Sequence, residues 1–322
     1  MNNQKRAIGV LTSGGDSPGM NAAVRAIIRA GIKKGFSMYA IYDGYKGLVE
    51  GNIEQVDRSF VSQIIDKGGT ILRSARLPQF ANLEVRKKAV EQLKKHHIDA
   101  LVVIGGDGTY MGAKRLSEMG INCIGLPGTI DNDIACTDYT IGFDTCLNTI
   151  VDAVDKLRDT TSSHQRCSII EVMGNHCGDL AIFGGLACGA ELIVASDHLI
   201  PKDEIIAAMN AQKLSKKKHA MILVSEKVFD LQELAREIEL ATGFETRPEV
   251  LGRIQRGGSP SAFDRILASR MGEYAVQCID ENKSGRCIGI IGNELKDFDI
   301  YEALSMQRKR HDHIAKVIDT IK

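Results

Sequence analysis

Short runs of β-branched and other apolar residues recur along this chain, separated by longer stretches with helical periodicity. That rhythm is the strongest constraint on the fold. Strands buried on both faces read as continuous apolar runs, and parallel strands need a crossover segment between them, usually a helix. An α/β chain with mainly parallel sheets is therefore predicted. Strands are expected at Ala7 to Leu11, Met38 to Tyr42, Ala100 to Ile104, Asn122 to Leu126, Cys167 to Val172, Ala220 to Val224 and Cys287 to Ile291. Helices are expected at Asn21 to Lys34, where Val24, Ile27, Ile28 and Ile32 share a face, and at Leu83 to His96, Asp144 to Thr160, Leu231 to Ala241 and Ser261 to Ile279. A length of 322 residues suggests two domains or one large α/β unit, and the character of the chain changes near Thr140.

Composition removes several functions. Lys plus Arg and Asp plus Glu number 41 each, so the broad positive excess of an indiscriminate nucleic-acid or membrane binder is missing. The eight cysteines form no Cys-x-x-Cys pair and have no compact spacing with histidine, and are expected to be small buried hydrophobes in a reducing compartment. After Lys5 and Arg6 the apolar run is short and is stopped by Ser13, Gly14, Gly15 and Asp16, unlike a signal peptide. No run approaches the ~18 apolar residues of a membrane span. A cytoplasmic protein is expected. Glycine is in excess at 32 residues, and its placement carries the functional reading.

The first predicted strand runs into Thr12-Ser13-Gly14-Gly15-Asp16-Ser17-Pro18-Gly19-Met20-Asn21 and then a helix. Backbone N–H groups and the helix dipole favour an anion at such a junction. Gly14 and Gly19 are spaced like a P-loop, but Met20 stands where that motif requires lysine. Gly105-Gly106-Asp107-Gly108-Thr109 follows the strand Ala100 to Ile104 in the same way. Its glycines leave room for a triphosphate against the backbone, and Asp107 is placed to hold Mg²⁺. Met111 breaks the dinucleotide fingerprint. A third strand-end loop, Pro127-Gly128-Thr129-Ile130-Asp131-Asn132-Asp133, carries two carboxylates two residues apart. One could take a proton while the other helps with metal or orientation. Each loop alone could be an ordinary turn, but three at strand carboxyl ends would converge on one crevice.

These loops, with Ser163-His164-Gln165-Arg166 and Ile254-Gln255-Arg256-Gly257-Gly258-Ser259-Pro260, resemble the bacterial-type ATP-dependent 6-phosphofructokinases over nearly the whole chain. The resemblance implies two similar three-layer α/β/α domains with the active site in the cleft between them. An ATP-binding domain would span 1–142 plus about 256–304, and a fructose-6-phosphate-binding domain 143–255 plus about 305–322. It also implies transfer of the ATP γ-phosphoryl group to O1 of fructose 6-phosphate with Mg²⁺, in a homotetramer. By the same resemblance Gly15, Tyr45, Arg76, Leu77, Gly106, Asp107, Gly108 and Thr109 would surround ATP, with Asp107 on the metal. Thr129, Ile130, Asp131, Met173, Gly174, Glu226, Arg253 and Arg256 would face the sugar phosphate, and Arg166 and Arg247 would reach a neighbouring subunit's site. Asp131, Thr129 and Arg76 would be catalytic. An ordinary aspartate is too weak a base for a free alcohol, so Asp131 would accept the proton as the oxygen bonds to phosphorus. Members that use pyrophosphate usually carry Asp at the position of Gly108 and Lys at that of Gly128, so both glycines favour ATP.

Arg25, Arg29, Arg58, Arg158, Gly189, Glu191 and the run Lys216-Lys217-Lys218-His219 match the family's effector site, where ADP activates and phosphoenolpyruvate inhibits. Three positions depart from the family. Asn175 stands where arginine is usual, Arg253 where histidine is common, and Arg73 where many members have a small residue. Two alternatives are a kinase of another Gly-Gly-Asp-Gly family and a non-catalytic nucleotide or sugar-phosphate sensor. The first leaves Gln165-Arg166 and Gln255-Arg256 unexplained, and the second has no need of Asp131 beside Thr129.

Overall fold

A computed structural model describes residues 6–215 and 217–321. Eleven strands occur among them: β1 Ala7–Thr12, β2 Ser37–Ile41, β3 Ile53–Val56, β4 Ala100–Gly105, β5 Asn122–Pro127, β6 Cys167–Val172, β7 Leu192–Val194, β8 Ala220–Ser225, β9 Thr246–Val250, β10 Arg286–Ile291 and β11 Glu294–Asp299. The helices are α1 Met20–Lys33, α2 Gly44–Glu50, α3 Leu83–Lys95, α4 Asp107–Ser117, α5 Phe143–His164, α6 Asp179–Cys188, α7 Lys202–Leu214, α8 Leu231–Thr242, α9 Ala262–Asp280, α10 Ile300–Ser305 and α11 Asp312–Ile321. The chain divides into two units. The larger takes the residues up to Ile130, Ile134–Thr145 and Arg256–Arg308, and the smaller takes Asp131–Asp133, Cys146–Gln255 and the residues from Lys309 on.

The larger unit is built on a seven-stranded sheet in the order β11-β10-β5-β4-β1-β2-β3. Its interior is parallel, because β1 pairs with β2 and β4, β4 with β5, and β5 with β10 in that sense. Both edge strands, β3 and β11, run antiparallel to their neighbours. Side chains alternate between the two faces. Ile8, Val10, Val102, Ile104 and Ile124 pack with α1 and α9, while Leu11, Leu101, Val103 and Cys123 pack with α3 and α4. Helices thus cover both faces, as the uninterrupted apolar runs require.

The smaller unit has a four-stranded, all-parallel sheet in the order β7-β8-β6-β9. Ile169, Ile222 and Val224 pack on one face with Ile205 and Met209 of α7 and Leu234 and Ile238 of α8. On the other face a Cβ at Gly184 of α6 would lie 3.5 Å from Leu223 of β8 and 3.1 Å from Ile150 of α5. Pro248 sits in the edge strand β9, where its missing N–H costs no interior ladder bond. All eight cysteines are buried and none is in a disulfide. No helix among the described residues is long and apolar enough to cross a membrane.

Candidate active site

The order of the larger sheet creates one special edge. From β1 the chain crosses to β2 on one side, and from β4 it crosses to β5 on the other. The carboxyl ends of β1 and β4 therefore flank the switch point at which open α/β sheets leave a crevice. The Thr12 to Gly19 loop and the Gly105 to Thr109 loop both leave the sheet there, and they are fastened together. Ser13 N–H donates to the Ile104 carbonyl at 3.0 Å, and Thr109 Oγ1 donates to the Ser13 carbonyl at 3.0 Å. The third loop starts beside them, where Gly128 N–H donates to the Gly105 carbonyl at 3.1 Å. Thr140 Oγ1 then holds the Thr129 carbonyl at 2.7 Å.

The glycines of the second loop divide into two kinds. A Cβ at Gly105 would fall 2.3 Å from the Ser13 carbonyl oxygen and 2.3 Å from Thr109 Oγ1, so the joint between the two loops demands glycine there. At Gly106 and Gly108 a Cβ would meet nothing within 4 Å among the described residues, and neither has a positive φ. No close neighbour and no backbone strain calls for glycine at these two positions. They cap and open α4, with Asp107 between them exposed in its first turn. The N-terminal end of a helix, with its dipole, and two bare Cα atoms form a surface suited to phosphate.

Beside this surface lies a cavity of about 350 Å³ lined by Gly14, Gly15, Asp16, Thr70, Arg73, Ser74, Arg76 and Arg256. The lining holds three arginines and one aspartate; Arg73 is paired with Asp43, and Arg76 and Arg256 still leave a balance that suits an anion. Arg256 presses on the backbone of Gly15, where a Cβ would fall 2.4 Å from Nη1, and its buried Nε has no hydrogen-bond partner among the described residues. The segment from Lys67 to Arg76 forms one wall. Asn21 of α1 anchors it by donating to the Lys67 carbonyl at 3.0 Å and accepting from Ile71 N–H at 2.8 Å, and Ser74 Oγ donates to the Gly14 carbonyl at 2.6 Å. The structure thus gathers Gly15, Arg76 and Arg256 with Gly14 and Asp16 of the first loop and Arg73, noted in the sequence only as a departure, and adds Thr70 and Ser74, which no motif contained. The Gly68-Gly69-Thr70 run was the available signal.

Three residues expected at ligands, Tyr45, Thr109 and Ile130, have little exposed surface. Tyr45 donates its hydroxyl to the Thr109 carbonyl at 2.6 Å and stacks on Phe80 with ring centroids 4.3 Å apart. Burial pushes its pKa well above the ordinary value. Thr109 and Ile130 are likewise buried. Leu77 leads into a short 3₁₀ turn, Pro78–Ala81, and packs partly against the core.

In the smaller unit the Asp131-Asn132-Asp133 turn is held from α6. Asn132, at φ 52°, donates from Nδ2 to the buried Asp179 carboxylate at 2.9 Å, and Cys177 Sγ contacts the Asn132 carbonyl at 3.7 Å. This attachment puts the turn with the smaller unit, although the domain division expected from the sequence kept it with the larger. Asp131 itself is 9% exposed. Met173 N–H donates to Gln255 Oε1 at 3.1 Å, which ties Met173 and Gly174 to the turn carrying the exposed Arg253. Glu226 accepts from Asn175 N–H at 2.8 Å, and Asn175 Oδ1 accepts from Lys227 Nζ at 2.7 Å. Arg166 and Arg247 both pair with Glu245, Arg166 at 2.8 Å, and this contact holds the Glu245 carboxyl below its ordinary pKa.

The basic residues expected to bind an effector form two groups. In the larger unit Arg29 of α1 has its pKa lowered by burial and by Arg25 and Arg58, a cluster of like charge. In the smaller unit Arg158 donates to the Cys188 carbonyl, next to Gly189, which takes a left-handed conformation after α6. Glu191 accepts from Met221 N–H at 2.7 Å and pairs with Lys217 at 3.4 Å, while Lys218 and His219 follow in the same loop. Lys216 lies outside the described residues.

A crevice at a switch point of the sheet, flanked by glycine-rich strand-end loops, fits a nucleotide- or phosphate-handling α/β enzyme, and this chain is similar to known proteins of that class. The phosphofructokinase family pattern matches residues 7–279. The chain is 59% identical over 304 residues to an ATP-dependent 6-phosphofructokinase of Vibrio campbellii, covering 94% of this chain and 95% of that one. It is 56% identical over 317 residues to the enzyme of that name from Vibrio parahaemolyticus, covering 98% and 99%. Phosphofructokinase from Saccharomyces cerevisiae superimposes with a TM-score of 0.87 at 34% identity, over 98% of this chain and 47% of that longer one. A pyrophosphate-dependent phosphofructokinase from Marinobacter aquaeolei, 23% identical with a TM-score of 0.84 over 96% of this chain and 86% of its own, shares the fold. The chain belongs to the phosphofructokinase family, and it is a phosphotransferase.

Proposed function

We infer that this chain transfers the γ-phosphoryl group of ATP to O1 of fructose 6-phosphate, giving fructose 1,6-bisphosphate and ADP, a committing step of glycolysis. The observation that carries the reading is the pair of open glycines, Gly106 and Gly108, at the start of α4 beside a cavity with three arginines. No described residue lies close enough to ask for glycine there, while a polyphosphate lying on the backbone does. The identity to two ATP-dependent relatives over nearly their full length supports the donor and the acceptor.

Phosphoryl transfer demands positioning and charge neutralisation more than covalent chemistry. The N–H groups at the start of α4 would hold donor phosphates, and Arg76 and Arg256 would offset charge on the transferring group. Asp131 would accept the proton from O1 as the new bond to phosphorus forms, held by a turn that Asn132 fixes to Asp179. Thr129, Met173, Gly174, Glu226 and Arg253 would orient the sugar phosphate, and Arg166 and Arg247 would serve a neighbouring subunit of a homotetramer. Asp107 fits Mg²⁺, which commonly takes one or two carboxylates and fills its remaining positions with phosphate oxygens and water. The exposed single carboxylate between two bare glycines suits that arrangement, so Asp107 would hold the ion, which would supply charge neutralisation to the donor.

Regulation by ADP and phosphoenolpyruvate is also proposed. It would work through Arg25, Arg29 and Arg58 of the larger unit and Arg158, Gly189, Glu191, Lys217, Lys218 and His219 of the smaller. The cluster around Arg29 supports an anion there, since like charges at this spacing repel unless an acid or phosphate bridges them. The test is product formation from fructose 6-phosphate with Mg-ATP, repeated with pyrophosphate as donor and without sugar. Transfer to the sugar with ATP alone is the expected result, and none with any donor would refute the kinase. Failure of ADP to relieve phosphoenolpyruvate inhibition would remove the regulatory part only.

A further inference from the structure

Arg73 lines the cavity, and its guanidinium is paired with the turn before α2. Nε donates to Asp43 Oδ1 at 2.8 Å and Nη2 to Asp43 Oδ2 at 2.7 Å, a two-pronged pairing. The guanidinium carbon lies 5.2 Å from the centre of the Tyr42 ring, and Tyr42 is itself fixed by donating its hydroxyl to Glu54 at 2.7 Å. Asn52 donates to Asp43 Oδ2 at 3.0 Å, so the carboxylate is held from both sides.

The backbone of Arg73 is as unusual as its side chain. Its φ is 57°, a left-handed conformation that an unbranched L-residue adopts rarely and only where the surroundings impose it. Those surroundings are visible. Thr12 Oγ1 at the end of β1 donates to the Arg73 carbonyl at 2.8 Å, and Asp43 N–H donates to the Leu72 carbonyl at 2.9 Å. The next residue, Ser74, is buttoned to the Gly14 carbonyl, and Arg76 follows two positions later in the cavity wall. A strained residue is thus clamped by its side chain to α2 and by its carbonyl to β1, immediately before the residues that line the site.

We propose that Arg73 is a positioning residue: its fork on Asp43 fixes the turn that aims Ser74 and Arg76 into the phosphate cavity. The proposal rests on the phosphotransferase reading above. The ion pair is exposed on the arginine side, 60% against 28% for Asp43, so global stability depends on it little. Its effect belongs to the placement of Arg76, where an error near 1 Å costs about 10²-fold in turnover.

The test compares Arg73→Gly, Arg73→Lys, Asp43→Asn and the double variant Arg73→Gly/Asp43→Asn in the full-length enzyme. Glycine removes the fork and also the backbone strain, so this variant is expected to fold with a Tm close to wild type. Its kcat is expected to fall about 10- to 100-fold, while the KM for fructose 6-phosphate moves less than threefold. Asp43→Asn is expected to give the same loss, and the double variant to be no worse than either single one. Arg73→Lys, which keeps the charge without the fork, is expected to recover part of the loss. Wild-type kcat in both Arg73→Gly and Asp43→Asn, or losses that multiply in the double variant, would overturn the proposal. If Arg73→Gly fails to fold, Arg73→Lys and Asp43→Asn decide by the same criterion. An inactive wild-type enzyme would instead refute the phosphotransferase reading itself.

Discussion

Gly108→Ala separates what the fold needs from what the ligand needs. The added methyl group would meet no atom within 4 Å among the described residues, and the backbone there is not left-handed, so no steric or torsional cost is expected. Gly108 is the second residue of α4, where alanine is the better helix former. The full interior difference is about 1 kcal/mol, and a first-turn position should realise about half of it. At about 2 to 4 °C per kcal/mol for a chain of this size, Tm should rise by about 1 to 2 °C. The effect on catalysis should have the opposite sign. A methyl group on the surface proposed for the phosphates displaces them by a sizeable fraction of an ångström or more, and kcat/KM for ATP should fall about 10- to 100-fold. In energy that is about 1.4 to 2.7 kcal/mol of lost transition-state stabilisation. Steady-state rates with Mg-ATP varied at saturating fructose 6-phosphate, and then with the roles exchanged, would read it. The KM for the sugar should change little. A Gly108→Ala enzyme within twofold of wild type in kcat/KM for ATP would show that the open surface is not where the nucleotide lies.

Gly105→Ala should behave in the reverse way. Its methyl group strikes the Ser13 carbonyl and Thr109 Oγ1, and a loss of about 1 to 3 kcal/mol in urea denaturation is expected, with reduced soluble yield. Asp131→Asn should keep the Tm and lose about 10²- to 10⁴-fold in kcat, and near-normal turnover would take Asp131 out of the role of base. Asp264 should make stability pH-dependent. Burial raises its carboxyl pKa to about 6 despite hydrogen bonds from Gly142 N–H and from Thr145 N–H and Oγ1. Between about pH 4 and 6 the folded chain keeps a proton that the unfolded chain releases. The contribution of this group is therefore full below pH 4 and is lost as pH rises through 6, by about 3 kcal/mol at most. Urea midpoints at pH 5 and pH 7, compared with those of Asp264→Asn, should show this difference, and parallel profiles would contradict it.

The parallel interior strands and amphipathic helices were readable because each has one dominant signal. All seven expected strands are present, with ends shifted by at most one residue, since Val- and Ile-rich runs buried on both faces have few other destinations. The unexpected strands are short or polar. Ile53–Val56 and Glu294–Asp299 are antiparallel edges whose residues face solvent in part, and Thr246–Val250 contains a proline that argues against an interior strand. Helix α6 was missed because it is apolar on nearly every side and so has no stripe, and α7 because only Ile205 and Met209 are buried along it. The glycine loops were legible as a set. The separate duties of Gly105 and its neighbours were not, since they depend on what lies across from each Cα. Arg73 was legible only as an oddity, because its partner Asp43 lies 30 residues away and is joined to it by the sheet rather than by any motif.

The buried cysteines also make this protein a natural subject for chemical footprinting. Cys123, Cys136, Cys278 and Cys287 belong to the larger unit, and Cys146, Cys167, Cys177 and Cys188 to the smaller. Burial raises thiol pKa values, to about 12 at Cys123 and Cys167, so an alkylating reagent at neutral pH meets almost no thiolate while the chain is closed. Labelling then proceeds only through opening events, and peptide mass spectrometry would assign each event to a unit. The order in which the two sets of thiols acquire label on warming would rank the stabilities of the two units in the unmodified enzyme, without a single introduced probe.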